Sequence, residues 1–176
     1  MTMKDATKAI KIIPLLEEKR DVVEYYFQSL YKHDTLKYRF GDIEDPDWSE
    51  VVGVIERMGT QMFLISYEDR IAGEFSFDTF LGLTAQLHFS MHPETNYSDA
   101  LKLTTFASDD ILNNWTNKKT GEPWVEALWG LIPNVHRVSI MTGVRSGFKK
   151  QCVLPKSVRW FGEWVDSTLL TKRRVQ

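Results

Sequence analysis

The sequence predicts an α/β protein built on a mixed, mostly antiparallel sheet with helices on both faces. Three observations carry that expectation. Apolar residues recur at a helical period, then alternate as in strands, then return to the helical period. A helical segment lies between two strand-like segments mid-chain, which demands a crossover and locally parallel strands. Tight turns on either side demand antiparallel hairpins. The chain has 176 residues, shows no repeat and no low-complexity linker, and reads as one domain, 1–176, with a proper core.

Lys8 to Ile13 reads as a first strand stopped by Pro14. From Leu16 to Tyr31, Leu16, Val23, Tyr26, Phe27 and Leu30 mark one face of a helix. After the polar connector "GDIEDPDWS", Asp47 or Ser49 caps a second helix, Trp48 to Met58. "QMFLISYED" and "RIAGEFSFDTF" then alternate as strands around a turn at Asp69–Arg70. In the second of these, Gly73, Phe75, Phe77 and Thr79 face one way; Ala72, Glu74, Ser76 and Asp78 face the other, with Glu74 toward solvent. "AQLHFSMH" is a third strand with Leu87, Phe89 and Met91 on one face, ended by Pro93.

Ser98 to Trp115 is helical, with Ser98 as N-cap and Leu103, Phe106, Ala107 and Ile111 as its stripe. "TNKKTGEP" is a loop. "WVEALWGLI" is a central strand, apolar on both faces apart from Glu126. Pro133 and Asn134 start a short helix from Val135 to Arg145, which Gly147 closes. Two last strands, Phe148–Leu154 and Val158–Leu170, are parted by Pro155, and Gly162 marks a bulge. Trp160 and Trp164 then share one face of the last strand. The order is β-α-α-β-β-β-α-β-α-β-β.

Composition excludes several classes of function. With 22 basic and 24 acidic residues the formal net charge is -2, so nothing draws the chain to nucleic acid or an anionic membrane. The basic run Lys172–Arg173–Arg174 reads as a solvated end. The one cysteine, Cys152, forms no internal disulfide, suits a reducing, cytoplasmic setting and reads as a buried small hydrophobe. No apolar run matches a signal peptide or a membrane span. The Asn-x-Ser/Thr triplets at Asn96 and Asn114 are then chance matches. No Ser-His-Asp order, Walker loop or dinucleotide-binding glycine pattern is present.

The element order, with "SMHPE", "LIPNVHR" and "SGFKK" in sequence, resembles the GCN5-related N-acetyltransferase (GNAT) superfamily, whose fold is acyl-CoA N-acyltransferase-like. The resemblance implies acetyl-CoA or another acyl-CoA as cofactor, held where "AQLHFSMH" and "WVEALWGLI" splay apart. Backbone groups at Ser90 and Met91 would meet the pantetheine arm. Asn96, Tyr97, Ser98, Asp99 and Ala100 fill the pyrophosphate loop, and Asn134 matches an Asn beside the cofactor, or caps its helix. The chain departs from the pattern twice. The loop lacks the family's glycines and carries Asp99 where a pyrophosphate would sit. The helix before Gly147–Phe148 has Met141, Thr142 and Gly143 where many members carry a Tyr acid; Thr142 could donate a hydrogen bond but not acid catalysis.

A transfer to an amine needs a base. Glu126, mid-strand among apolar residues, is the candidate; His88 or His92 at the sheet opening is an alternative, and Glu74 a weaker one. His88 and His92 stand about 13 Å apart on a strand and share no metal ion, so no metal is expected. Two readings stay open. One is an acyl-CoA N-acyltransferase using Glu126. The other follows a likeness to phage-encoded members linked to head or virion assembly: a non-enzymatic module without cofactor, with a protein partner or its own copies, for which exposed Trp160 and Trp164 would serve. Core packing is the alternative for both Trp residues.

Overall fold

A computed structural model describes residues 10–33, 53, 57 and 61–175. Strand β1 (Ile10–Pro14) pairs antiparallel with β2 (Met62–Tyr67), from Ile10↔Tyr67 to Pro14↔Phe63. Pro14 thus belongs to the strand. It is tolerated because β1 ends the sheet, where a missing N–H costs no ladder bond. A 3-10 turn, Leu15–Glu17, separates β1 from helix α1 (Arg20–Lys32). That break resets the helical phase: Leu15 is buried and Leu16 is 67% exposed, against the expected stripe. Val23, Tyr26, Phe27 and Leu30 are buried as expected and pack with Leu15, Met62 and Leu64. The expected helix Trp48–Met58 and its caps Asp47 or Ser49 lie outside the described residues, apart from Gly53 and Arg57, both helical.

β2 turns into β3 (Arg70–Leu81) through Glu68–Asp69, at φ 51 and 61. Two left-handed residues match the right-handed twist of a two-residue hairpin. Arg70 already pairs with Tyr67, so the turn falls one residue before the expected Asp69–Arg70. Ala72 to Phe77 are all buried. Glu74, expected in solvent, is fully buried, because this strand is covered on both faces and alternation no longer separates core from surface.

β4 (Thr84–Met91) leads through helix α2 (Tyr97–Asn114) to β5 (Ala127–Pro133), parallel to β4. Helix α3 (Arg137–Arg145), β6 (Lys149–Trp160) and β7 (Glu163–Arg173) complete the chain. The hydrogen-bonded order is β1-β2-β3-β4-β5-β7-β6, a mostly antiparallel seven-stranded sheet with the expected crossover. Contacts group the residues into two units, 1–76 with 89–96, and 77–88 with 97–176.

In the second unit Leu103, Ala107 and Ile111 on α2 are fully buried. Phe77, Phe80, Trp115 and Trp124 form an aromatic cluster with ring centroids 5.1–6.2 Å apart. The 116–123 loop is pinned by a bridge between Thr116 and Pro123.

The end of the chain corrects several expectations. β6 runs unbroken through Pro155, which sits at a register irregularity between Leu154 and Val158. β6 is the sheet's edge, so the missing N–H is again harmless. The true break is the turn Phe161–Gly162, at φ 47 and 81, which joins β6 to β7. Gly162 is therefore a turn residue rather than a bulge. Trp160 and Trp164 fall on different strands: Trp160 rests 4.5 Å from the His136 ring, while Trp164 is 62% exposed. Cys152 is exposed rather than buried, because it lies on this thinly covered edge.

Candidate functional site

The parallel pair β4–β5 holds for three rungs, Thr84↔Ala127, Ala85↔Leu128 and Gln86↔Trp129. At Gly130 the strands still lie close: a Cβ there would sit 3.3 Å from the Leu87 carbonyl oxygen. Among the described residues the ladder then stops. β5 continues from Gly130 to Pro133 paired only with β7. Its other edge offers backbone N–H and C=O groups that a polar ligand can engage.

Ser90 and Met91 end β4 and are half-buried. They are set tightly against β3. A Cβ on Gly73 would lie 2.7 Å from the Ser90 carbonyl oxygen and from the Met91 sulfur, so only glycine fits. The following loop is tied to the same strand. His92 N–H and the Thr95 hydroxyl both donate to the Ala72 carbonyl, at 2.9 and 2.8 Å. Asn96 is exposed, just before α2.

Tyr97, Ser98, Asp99 and Ala100 form the first turn of α2, which places Ser98 inside the helix rather than at its N-cap. None of residues 93–100 has a positive φ. The missing glycines are therefore not needed for backbone conformation. The first N–H groups of a helix lack intrahelical partners and favour anions. A cation stands beside them: Arg145, at the end of α3, donates to the Tyr97 hydroxyl at 3.2 Å and lies 5.8 Å from its ring centre. Arg145 thus brings a positive charge to the same helical turn that carries Asp99.

Asn134 does not cap α3. The helix begins later, at Arg137 with His136 before it. Asn134 faces β7 instead: its amide oxygen accepts from the Thr168 hydroxyl at 2.7 Å, and its N–H donates to the Asp166 carbonyl at 2.8 Å. The Thr142 hydroxyl donates to Val138 within its own helix, 2.9 Å away. Gly143 has a packing reason, since a Cβ there would meet Leu170 at 2.5 Å. The exit from α3 satisfies both C-terminal bonds of a Schellman motif: Phe148 N–H to Gly143 O, 3.0 Å, and Gly147 N–H to Val144 O, 3.1 Å. Gly147 takes φ 93 to do so.

The expected base lies elsewhere than its local sequence suggests. Glu126 precedes β5 and is exposed, rather than lying buried within it. Its N–H donates to Leu83 at 2.7 Å and its carbonyl accepts from Arg174 at 3.0 Å. Leu83 lies in the turn that starts β4, so Glu126 sits where the parallel strands are joined. The unpaired edge begins four residues on, about 13 Å away. The local apolar run hid this, because burial falls on Val125, Ala127 and Leu128. Glu74 is buried and His92 is spoken for: its Nε2 pairs with Ser29 at 2.8 Å, and its Nδ1 accepts from Glu94 N–H at 3.3 Å. Burial lowers the His92 pKa below 6.5.

His88 remains, and it has a partner the sequence reading missed. Its Nε2 lies 2.7 Å from Oδ2 of Asp78 on β3. The Gly82–Leu83 turn, with residue 78 four places before it and residue 88 five places after it, was the available signal. Among the described residues no group of three or more His, Cys, Asp or Glu is placed to hold a metal ion, and no helix is long and apolar enough to cross a membrane.

No family model and no curated protein matches the chain. Solved structures do match its fold. Microcin C7 self-immunity acetyltransferase MccE, in complex with acetyl-CoA and AMP, aligns at TM-score 0.72 and 17% identity, over 94% of this chain and 92% of that one. Spermidine N-acetyltransferase from Vibrio cholerae, with CoA and spermine, aligns at 0.71 and 11%, over 95% and 96%. A GNAT-family acetyltransferase from Bacillus anthracis aligns at 0.68 and 14%, over 94% and 95%. The chain has the GNAT acyl-CoA N-acyltransferase fold.

Proposed function

We propose that this protein transfers an acyl group from acyl-CoA, acetyl-CoA foremost, to the nitrogen of an amine. One observation carries the reading: in this fold, a parallel β4–β5 pair stops after three rungs and leaves the β5 edge open from Gly130. The pantetheine arm resembles a peptide and would pair with that edge. The pyrophosphate would lie at the first N–H groups of α2, beside Arg145. Acyl-CoA supplies an activated carbonyl and a thiolate leaving group. The structural relatives named above bind CoA or acetyl-CoA, or carry the family's name, and one is named for a polyamine. An amine acceptor is in keeping with them, although fold likeness alone does not assign a reaction.

A phage-type head- or virion-assembly module without cofactor was the second reading. It rested on the missing glycines, Asp99 and the missing Tyr. The first loses force because α2 starts without any left-handed residue. Against the second, Arg145 brings a positive charge to the same helical turn. The absent acid leaves thiolate protonation to solvent. The relatives named above add nothing to a phage origin.

Calorimetric titration of the full chain with acetyl-CoA and with CoA tests the proposal. Binding at micromolar concentration is expected. No heat at millimolar ligand overturns it and leaves the assembly reading.

A further inference from the structure

We infer that Asp78 and His88 form the proton-accepting pair for the incoming amine, with His88 as the base and Asp78 as its positioning residue. The inference rests on the acyltransferase reading and deepens it. His88 follows Gln86, the last residue of β4 paired with β5, by two positions. Ala85 and Leu87 point to the buried face of β4, so His88 falls on the opposite one with Gln86. It therefore stands where the two strands stop pairing, unlike Glu126 at the joined end. About a third of each side chain is exposed, 32% for His88 and 36% for Asp78. A solute amine can reach the ring, which buried His92 does not permit.

The 2.7 Å contact also decides which ring nitrogen is basic. An ionised carboxylate only accepts hydrogen bonds, so Nε2 must carry the proton that Asp78 takes. In neutral imidazole the lone pair is then on Nδ1. A protonated amine gives one proton to Nδ1 and becomes a nucleophile. Its nitrogen attacks the thioester carbonyl; the C–N bond forms and the C–S bond breaks. The second amine proton is lost to solvent, solvent protonates the departing sulfur, and His88 returns its proton to solvent. Asp78 faces the imidazolium that exists between those events, and the pair strengthens as the ring gains charge.

Three variants and two measurements test this. The acceptor probe is benzylamine and the donor acetyl-CoA. Asp78→Asn presents an N–H group to Nε2 and so favours the Nδ1–H tautomer, which has no free lone pair toward the amine. A fall in kcat on the order of 10²–10⁴ is expected, with KM for acetyl-CoA changed less than about twofold. His88→Gln should match it, and Asp78→Glu should restore part of the rate. Nitrogen-15 spectra of the imidazole, in protein saturated with CoA, should show Nε2–H in wild type and Nδ1–H in Asp78→Asn. Wild-type turnover in Asp78→Asn, or an Nδ1–H tautomer in wild type, overturns the inference while acetyl-CoA binding by the same samples leaves the acyltransferase reading standing. Wild type that binds no acetyl-CoA overturns both.

Discussion

The ammonium of Lys172 on β7 lies 2.7 Å from Oδ1 of Asp109 and donates also to Ser108 Oγ and the Ser146 carbonyl, both at 2.8 Å. All three of its donors are used. Ser108 and Asp109 belong to α2, and Ser146 ends α3, so one cation joins two helices to the sheet. It also sits at the negative end of α3. What reads in the sequence as a frayed basic end is, at this position, an internal strut. Lys172→Met should cost about 2–3 kcal/mol, because two buried acceptors lose a charged donor. Urea unfolding measures it, and an unchanged midpoint would refute the role.

Arg145 should matter for affinity and little for the chemical step. Arg145→Ala removes the cation beside the first turn of α2. The side chain is exposed, so the effect is modest: acetyl-CoA should bind about 3–10-fold more weakly, with a smaller salt dependence than wild type. Titrations at low and high salt report both. Equal affinity in the two proteins would place the pyrophosphate elsewhere.

Glu126→Gln should leave kcat within about twofold of wild type. The side chain is exposed at the joined end of β4 and β5, roughly 13 Å from the open edge. Steady-state transfer to benzylamine measures this. A loss of a hundredfold would restore Glu126 as the base and contradict its position.

His92 should make the fold weaker in acid. Burial, the largest influence, holds its pKa below 6.5; Glu94 draws it back up, while His33 and Arg70 lower it further. The unfolded chain therefore takes up a proton at a higher pH than the folded one. Stability is complete above about pH 6.5 and is lost as pH falls through the window below it, by at most about 1.4 kcal/mol per pH unit for each proton. Half-buried His136 shifts the same way, again through burial. Urea unfolding between about pH 7.5 and 5.5 should show this slope, reduced in His92→Asn. An identical slope in the variant would sink the assignment.

The order of helices and strands was legible because each element prints its own period. Val23, Tyr26, Phe27 and Leu30 on α1, and Leu103, Ala107 and Ile111 on α2, lie on the faces that spacing assigned them. So did the crossover, since a helix between two strands leaves few alternatives. Gly147 closed α3 for a reason visible in the chain: a left-handed residue must follow the helix. Pro14 and Pro155 misled because proline blocks a strand only where its N–H is needed, and both lie in edge strands.

By itself, then, the sequence determined where the chain turns and which face of each helix is apolar, because those are properties of neighbours along the chain. Only the tertiary structure decided which polar groups meet. Glu74 and Glu126 exchanged their expected surroundings, since burial depends on what covers a strand. Asp78 came to His88, Arg145 to Tyr97 and Lys172 to Asp109 because sheet pairing and helix packing close distances of 10, 48 and 63 residues. Hydrogen bonds and charges act over a few ångströms of space, and separation along the chain does not report that distance.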